Sequence, residues 1–528
     1  MITLITFVQH CREKKLCQRQ QEEMFLLRKN LYSAYGLTHS WSIPDGYDTG
    51  IKVYNCVTKK KEALVLRNKH IFTWYSCGPT VYDSSHVGHA SCYVKLDIIQ
   101  RIIEGYFKHN LISVMNITDI DDKIVKKSND MNCSYKDIAE KYEQEFWTDM
   151  DDLGVKKPDI IPRVTEYMDL IISFIRRLEE NGLAYKAEDG SVYFHVQDIK
   201  NYGKLQNISK TTKEQKSKIK QSDMDFALWK STKEQGDPSW ESPWGRGRPG
   251  WHIECSALAS HFLGSNIDVH AGGIDLRFPH HENEEAQSCA FHNTNQWVNY
   301  WLHTGHLQVN HSEKMSKSLK NTVSIQEMLR ETSSEVFRMA CIMSHYQSHM
   351  EYSKNLFTTA ENVYRTFSNF INSCDNYSAG HLKAKVSSDV LNAYLIKSID
   401  EVHRSFCDNF DTPSVLKTLN ELVSLTNSML YSTASSDDRS GLISVLAVKN
   451  FFLSTMGVMG LGFEEKNSVS KNYSDVMDIL NSFRQEMRVI GIANKNVDIL
   501  NQCDRVRKEV EKCGIFIKDH GRTSSWNI

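Results

Sequence analysis

The sequence predicts an α/β fold, a parallel-sheet domain carrying an insertion and followed by a mainly helical C-terminal region. Three observations predict it. The β-rich run Ile71–Cys77 is followed by a polar loop, an apolar-periodic stretch from Tyr93 to Phe107, and a second β-rich run, Leu111–Ile117. Strand, helix and strand in that order imply a right-handed crossover in a parallel sheet. Between residues 137 and 181 the apolar residues fall four apart, as in Ile138, Tyr142, Phe146 and Met150, and Asn181-Gly182 supplies a helix stop, so an insertion of helices is expected there. Beyond Ser324 the pattern is helical almost to the end, where residues 514–526 read as a short hairpin.

A chain of 528 residues is too long for one core and implies several units. Hydrophobic residues at 40%, aromatics at 10% and only 9 prolines exclude fibrous and disordered classes. The formal charge of -2 excludes a global basic field, so any nucleic-acid contact must use local surfaces. Thirteen cysteines without a CxxC pair argue for free or metal-bound thiols and against a disulfide framework. No run is long and apolar enough to span a membrane. Between Met24 and Pro44 there is no acidic residue, while Arg28, Lys29, Ser33, Ser40 and Ser42 are present, the composition of an amphipathic transit peptide; translation starting at Met24 would place it first. A cytosolic N-terminal tail is the alternative. The lysine-rich stretch Ser209–Ser222 reads as an exposed loop.

The chemistry-bearing residues fall on loops at strand ends, where ligands of parallel sheets bind. His86-Val87-Gly88-His89 puts two imidazoles on the loop entering the first helix, where a phosphate chain meets backbone N–H groups. Far downstream, Lys314-Met315-Ser316-Lys317-Ser318 offers two ammonium groups on a loop with small hydroxyl side chains, suited to neutralising a triphosphate. Cys77, Cys255 and the run His280-His281-Glu282-Asn283-Glu284 offer thiolate, imidazole and carboxylate, a mixture that suits Zn²⁺. On a helix His280 and Glu284 share a face, but so do His281 and Glu285, and spacing alone does not choose between them.

The blocks CGPTVYDSSHVGHA, NITDIDDKI, GWHIECS, GGIDLRFPHHENE and EKMSKS, in that order, resemble the cysteinyl-tRNA synthetases, with the HIGH and KMSKS signatures of class I aminoacyl-tRNA synthetases and Val87 in place of the usual isoleucine. The likeness runs from about Val53 to about Tyr352 and is greatest to the mitochondrial form. It implies a Rossmann-type catalytic domain and a ligase that activates L-cysteine with ATP and transfers it to tRNA(Cys). It also implies one zinc ion per chain on Cys77, Cys255, His280 and Glu284, an amino-acid pocket at Gly78, Thr118, Trp251 and Asp275, and ATP handling with Mg²⁺ by His86, His89, Lys314 and Lys317 as the catalytic residues. Lys123 and Lys126 resemble a lysine pair that the family links to pyridoxal phosphate and persulfide formation, a secondary activity. Ala271 departs from the glycine that many bacterial relatives carry.

The expected organisation is a mitochondrial targeting segment at 1–50, the first half of the catalytic domain at 51–150, a connective insertion at 151–245, and the second half with the zinc site at 246–310. The KMSKS loop and stem-contact region follow at 311–390 and a helical anticodon-binding region at 391–528. A monomer in the mitochondrial matrix, with the cytoplasm as the alternative location, completes the reading. Three rivals are a ligase passing cysteine to a small amine, a silent RNA-binding relative, and a synthetase for another amino acid. The long C-terminal third opposes the first, the intact signatures oppose the second, and the paired cysteines oppose the third.

Overall fold

The computed structural model describes residues 41–206, 219–232, 237–309, 313–314, 323–432, 439–463, 469–512, 515–520 and 523–527. Packing divides the chain into two units, Met1–Gly462 and Phe463–Ile528. The lysines at 210, 213, 216 and 218 and the segment Met1–Ser40 lie outside the described residues.

The first unit opens with a hairpin the sequence reading omitted, β1 (Tyr47–Asn55) paired antiparallel with β2 (Lys60–Leu66). Ile51 and Val53 are buried while Lys52 is exposed, the alternation of a half-buried strand. The expected boundary at residue 50 therefore falls inside a strand. Ordered packing reaches back further: the Trp41 indole donates to the Asn299 carbonyl at 2.8 Å and meets Tyr300 edge-on.

Next come β3 (Phe72–Ser76), α1 (Val87–Arg101) and β4 (Leu111–Met115), with Phe72 beside Leu111 and Ser76 beside Met115 in parallel register. The Asp121 carboxylate caps α2 (Asp122–Met131) and the Ser134 hydroxyl caps α3 (Tyr135–Asp152). The four-residue spacing on α3 works as expected, for Ile138, Tyr142, Phe146 and Met150 are all buried. Helix α4 (Met168–Glu180) buries Ile171, Phe174, Ile175 and Leu178, and the chain leaves it through Gly182 at φ +76°.

The insertion then forms an antiparallel sheet of β5 (Ala184–Lys186), β6 (Val192–Phe194), β7 (Phe226–Ser231) and β8 (Gly247–Pro249). Its Phe194, Leu228 and Trp229 share one core with Ile171 and Ile175 and with Ile253 and Leu258 of α5 (Trp251–Leu263). The insertion is thus the bed on which α5 rests, not a separate body.

Strand β9 (Ile267–Gly273), α6 (Glu282–His292) and β10 (Val298–Thr304) complete a four-stranded parallel sheet in the order β10-β9-β3-β4. Because every strand runs the same way, Cys77, Asn116, Ile274 and Gly305 emerge at one edge. A small sheet follows, β12 (Glu313–Lys314) against β11 (Leu307–Val309) against β13 (Met350–Glu351).

The rest of the unit is helical: α7 (Ile325–Glu331), α8 (Ser334–Met343), α9 (Lys354–Ala379), α10 (Ser388–Cys407), α11 (Thr412–Leu430) and α12 (Leu442–Val458). The second unit holds α13 (Val469–Ala493), α14 (Val497–Glu511) and the terminal hairpin β14 (Phe516–His520) with β15 (Thr523–Asn527). Arg484 grips Asp519 there with two parallel hydrogen bonds of 2.7 and 2.9 Å. The helical region expected at 391–528 therefore spans a break at residue 462.

One buried ion pair joins the helical region to α1. Arg338 of α8 meets Asp97 and donates to the carbonyls of Leu153 and Gly154 at 3.2 and 2.8 Å. Arg338→Ala would strip a buried carboxylate of one of its two cations, Arg101 remaining, and is expected to cost about 3 kcal/mol in urea unfolding. A loss below roughly 1 kcal/mol would show that the pair is no more than a surface-type contact.

Candidate active site

Cys77 leaves β3 at the sheet edge, Cys255 lies in the second turn of α5, and His280 and Glu284 sit at the start of α6, one turn apart. All four are buried, and their ligand atoms lie within 4.8 Å of one another. The two sulfurs are 3.7 Å apart, far beyond a disulfide bond of about 2.05 Å. Two thiolates on one tetrahedral ion, with metal–sulfur bonds of about 2.3 Å, would stand about 3.8 Å apart. Glu284 Oε1 is 3.5 Å from Cys77 Sγ and 3.1 Å from His280 Nε2. That imidazole nitrogen is buried and has no hydrogen-bond partner despite the nearby carboxylate. Its other nitrogen, Nδ1, lies 2.8 Å from His252 Nδ1, which fixes the ring.

The spacing ambiguity resolves physically for the carboxylate alone. Glu285 is committed elsewhere: it forms a buried ion pair with Lys204 and accepts the Trp297 and Val298 N–H groups, both at 3.2 Å. His281 does face the cluster, with Nε2 3.6 Å from Cys77 Sγ and Nδ1 3.0 Å from His303 Nε2. With His270 it makes a second donor group that shares Cys77 and Glu284, and His270 Nε2 lies 2.9 Å from Glu284 Oε2. Burial drives the Cys77 thiol well above its ordinary value and both His280 and His281 well below theirs. Burial thus favours the neutral forms of Cys77, His280 and His281, and a positive ion among them would suit the neutral imidazoles and draw the thiol toward thiolate.

Of the residues expected at the amino-acid pocket, Gly78, Thr118 and Trp251 lie next to this cluster or to its neighbours. Gly78 packs so closely on β4 that a Cβ would lie 1.6 Å from the Asn116 carbonyl oxygen. Asn116 is buried, and its Oδ1 accepts from the Tyr75 hydroxyl at 3.0 Å and from the Gly78 N–H at 3.1 Å, with Cys255 Sγ at 3.5 Å. The same side chain donates to Thr118 Oγ1 at 3.3 Å, and Thr118 donates to Glu254 at 3.0 Å. Burial, reinforced by Asp121, raises the Glu254 carboxyl well above its usual range. Trp251 is 40% exposed and lays its indole over His280, with centroids 4.2 Å apart. Asp275 is half-exposed, 3.9 Å from His306 Nδ1. Ala271 is fully buried in β9 beside Leu302, so its methyl is accommodated.

His86 and His89 stack with centroids 3.8 Å apart at the N-terminus of α1. Each uses Nδ1 as an acceptor, His86 from the Gly88 N–H at 3.1 Å and His89 from the His86 N–H at 3.3 Å. A neutral ring that accepts at Nδ1 carries its proton on Nε2, so both present a donor there. The segment after the second signature is tied to this loop: Val87 donates to the Val323 carbonyl at 3.0 Å and Ile325 to that of Ser85 at 3.4 Å. The backbone of Lys314 is the edge strand β12, while Lys317 lies outside the described residues. Lys123 and Lys126 are exposed on α2, Lys123 over the Tyr82 ring.

Comparison with known proteins decides the family. The profile described as "tRNA synthetases class I (C) catalytic domain" matches residues 63–362. A Xenopus tropicalis protein named "Probable cysteine--tRNA ligase, mitochondrial" is 40% identical, over 92% of this chain and 91% of its own. The chain belongs to the cysteine–tRNA ligase family. Among other members, the "Cysteine--tRNA ligase, cytoplasmic" of Dictyostelium discoideum is 40% identical over 92% of this chain and 78% of its own, and the "Cysteine--tRNA ligase" of Thermococcus gammatolerans 40% over 90% and 98%. Among solved structures, a Mycobacterium tuberculosis methionyl-tRNA synthetase bound by methionyl-adenylate aligns with TM-score 0.57 at 14% identity, over 74% of this chain and 92% of that one, a likeness of class I fold.

Sequence reasoning missed Asn116, His252, His270 and His303. Asn116 opens the NITDIDD block and was within reach of that motif; the histidines are single residues on strands and helices and carry no spacing signal. The donor geometry predicts that the purified protein binds a soft divalent metal ion. Metal analysis should show its content falling to background in Cys77→Ser and Cys255→Ser and staying near wild type in Cys289→Ser, whose thiol faces Glu285 instead. Equal retention in all three would refute the site.

Proposed function

We propose that the chain is a cysteine–tRNA ligase that activates L-cysteine with ATP and charges tRNA(Cys), with Cys77, Cys255, His280 and Glu284 holding one zinc ion. The observation that carries this is the buried meeting of two unbridged thiols with an imidazole and a carboxylate beside the Gly78–Asn116 hydrogen bond. A zinc ion supplies a soft acceptor that favours a thiolate over a hydroxyl, which shape alone would separate poorly. Around it, this chain's residues orient the substrate: Asp275 and Thr118 face the ammonium group, Trp251 covers the pocket, and Gly78 keeps the strand edge open to the backbone.

The reaction needs no protein nucleophile. The cysteine carboxylate attacks the α-phosphate of ATP and pyrophosphate leaves; a hydroxyl of the terminal ribose of tRNA then attacks the adenylate's carbonyl, taking the cysteinyl group and releasing AMP. The protein supplies position and charge. His86 and His89 offer Nε2–H donors toward the phosphates, Lys314 and Lys317 bring positive charge over the leaving pyrophosphate, and Mg²⁺ accompanies ATP. The helical region 391–528 is assigned the anticodon end of the tRNA, and the solvent-facing Phe483 beside Arg484 gives it a stacking surface. The acid-free stretch from Met24 to Pro44 supports a mitochondrial site of action.

ATP–pyrophosphate exchange tests this reading. Cysteine should drive exchange at least about 10⁴-fold better than serine, because a site that uses the sulfur rejects its oxygen analogue. Comparable exchange with serine would remove the metal from recognition. Lys317→Ala should lower the exchange rate by about 10²-fold or more with KM for cysteine nearly unchanged. Equal losses in both would assign that loop a structural role.

A further inference from the structure

The corner between α10 and α11 holds two consecutive non-glycine residues in left-handed conformation, Asn409 at φ 61° and Phe410 at φ 54°. Both are buried. Such a pair persists only where surrounding contacts fix it. Here they do. Asn409 donates its N–H to the Lys52 carbonyl at 2.8 Å, and its Oδ1 accepts from the Tyr54 N–H at 2.8 Å and the Tyr346 hydroxyl at 2.9 Å. Its Nδ2 donates to Gln347 Oε1 at 2.8 Å. His345 accepts the Gln347 N–H at Nδ1, so its Nε2 carries the proton and donates to the Asn409 carbonyl at 3.1 Å.

The loop 345–349 gripped in this way is a joint between both signature elements. Lys95 of α1, a buried lysine, donates to the Ser348 carbonyl at 3.2 Å. Gly305 donates to the Tyr346 carbonyl at 2.9 Å, and a Cβ at Gly305 would lie 2.3 Å from the Ser348 oxygen, so the two backbones are in direct contact. The His306 N–H donates to His349 Nδ1 at 3.1 Å, and Met350 donates to the His306 carbonyl at 2.9 Å. From there the loop becomes β13, which pairs with β11, which pairs with β12 and so with Lys314.

We propose that Asn409 is a positioning residue for adenylate formation. It fixes the 345–349 loop, and with it the small sheet carrying Lys314, against the helix that begins at His86. This rests on the reading that the Lys314 loop acts on ATP. Asn409→Gly removes the side-chain bonds while leaving the left-handed backbone unstrained. Asn409→Asp keeps the acceptor, and Gln347 can turn its amide to donate to it.

The test is ATP–pyrophosphate exchange on the full chain loaded with zinc, with Lys314→Ala measured in parallel and thermal midpoints recorded. Asn409→Gly is expected to lower kcat by about 10-fold or more, with KM for cysteine within about twofold. Asn409→Asp should recover kcat to within about threefold of wild type, and Gln347→Ala, further out on the same path, should show the same kcat-selective loss at an unchanged thermal midpoint. If Lys314→Ala is impaired while Asn409→Gly and Gln347→Ala keep wild-type kcat, or lose kcat and KM together, the positioning role is overturned alone. If Lys314→Ala exchanges normally, the ATP reading of that loop falls and this proposal with it.

Discussion

Two thiols held 3.7 Å apart in a buried pocket, with an imidazole and a carboxylate closing the same space, form the constraint on which the rest of this molecule depends. Four polar groups buried together are costly unless something pairs them. The fold bears that cost by rigid support from three directions. The parallel sheet delivers Cys77 at a strand end. Helix α5, bedded on the insertion's Phe194, Leu228 and Trp229, holds Cys255, and α6 presents His280 and Glu284. Outside them, His252 meets His280, His270 meets Glu284 and Asn116 meets Cys255, contacts that set the donors' orientation more firmly than packing alone.

A second organising idea is the separation of recognition from activation. In the proposed function the buried cluster and the Asn116–Thr118–Glu254 chain serve the amino acid. The stacked His86 and His89, the bridge from Val87 to Val323 and the sheet bearing Lys314 are proposed to serve the phosphates. The 345–349 loop then links α1 and the small sheet to the α10–α11 corner, so that the helical region is mechanically continuous with the elements that carry His86 and Lys314.

What was legible in the sequence was whatever depends on short-range pattern or on residue type in a fixed block. The strand–helix–strand start, the buried period of α3, the stop at Gly182 and the terminal hairpin all follow from local rules. The choice of Glu284 over Glu285 was not legible by spacing, because it turns on Lys204, a residue about one insertion away in sequence, claiming Glu285. The hairpin β1–β2 was hidden by a lysine-rich second strand that breaks the apolar alternation. The break at residue 462 was hidden because the chain is helical on both sides of it. Asn409 carried no signal at all, since a left-handed asparagine looks like any asparagine until its partners, more than 50 residues away on two other segments, are in place.

If the buried cluster binds a zinc ion that meets the substrate's sulfur, X-ray absorption at the zinc edge will register it when L-cysteine is added. Two sulfur neighbours should rise to three with cysteine and stay at two with serine. A shell that keeps the same sulfur count with cysteine bound would rule out direct contact between the ion and the substrate.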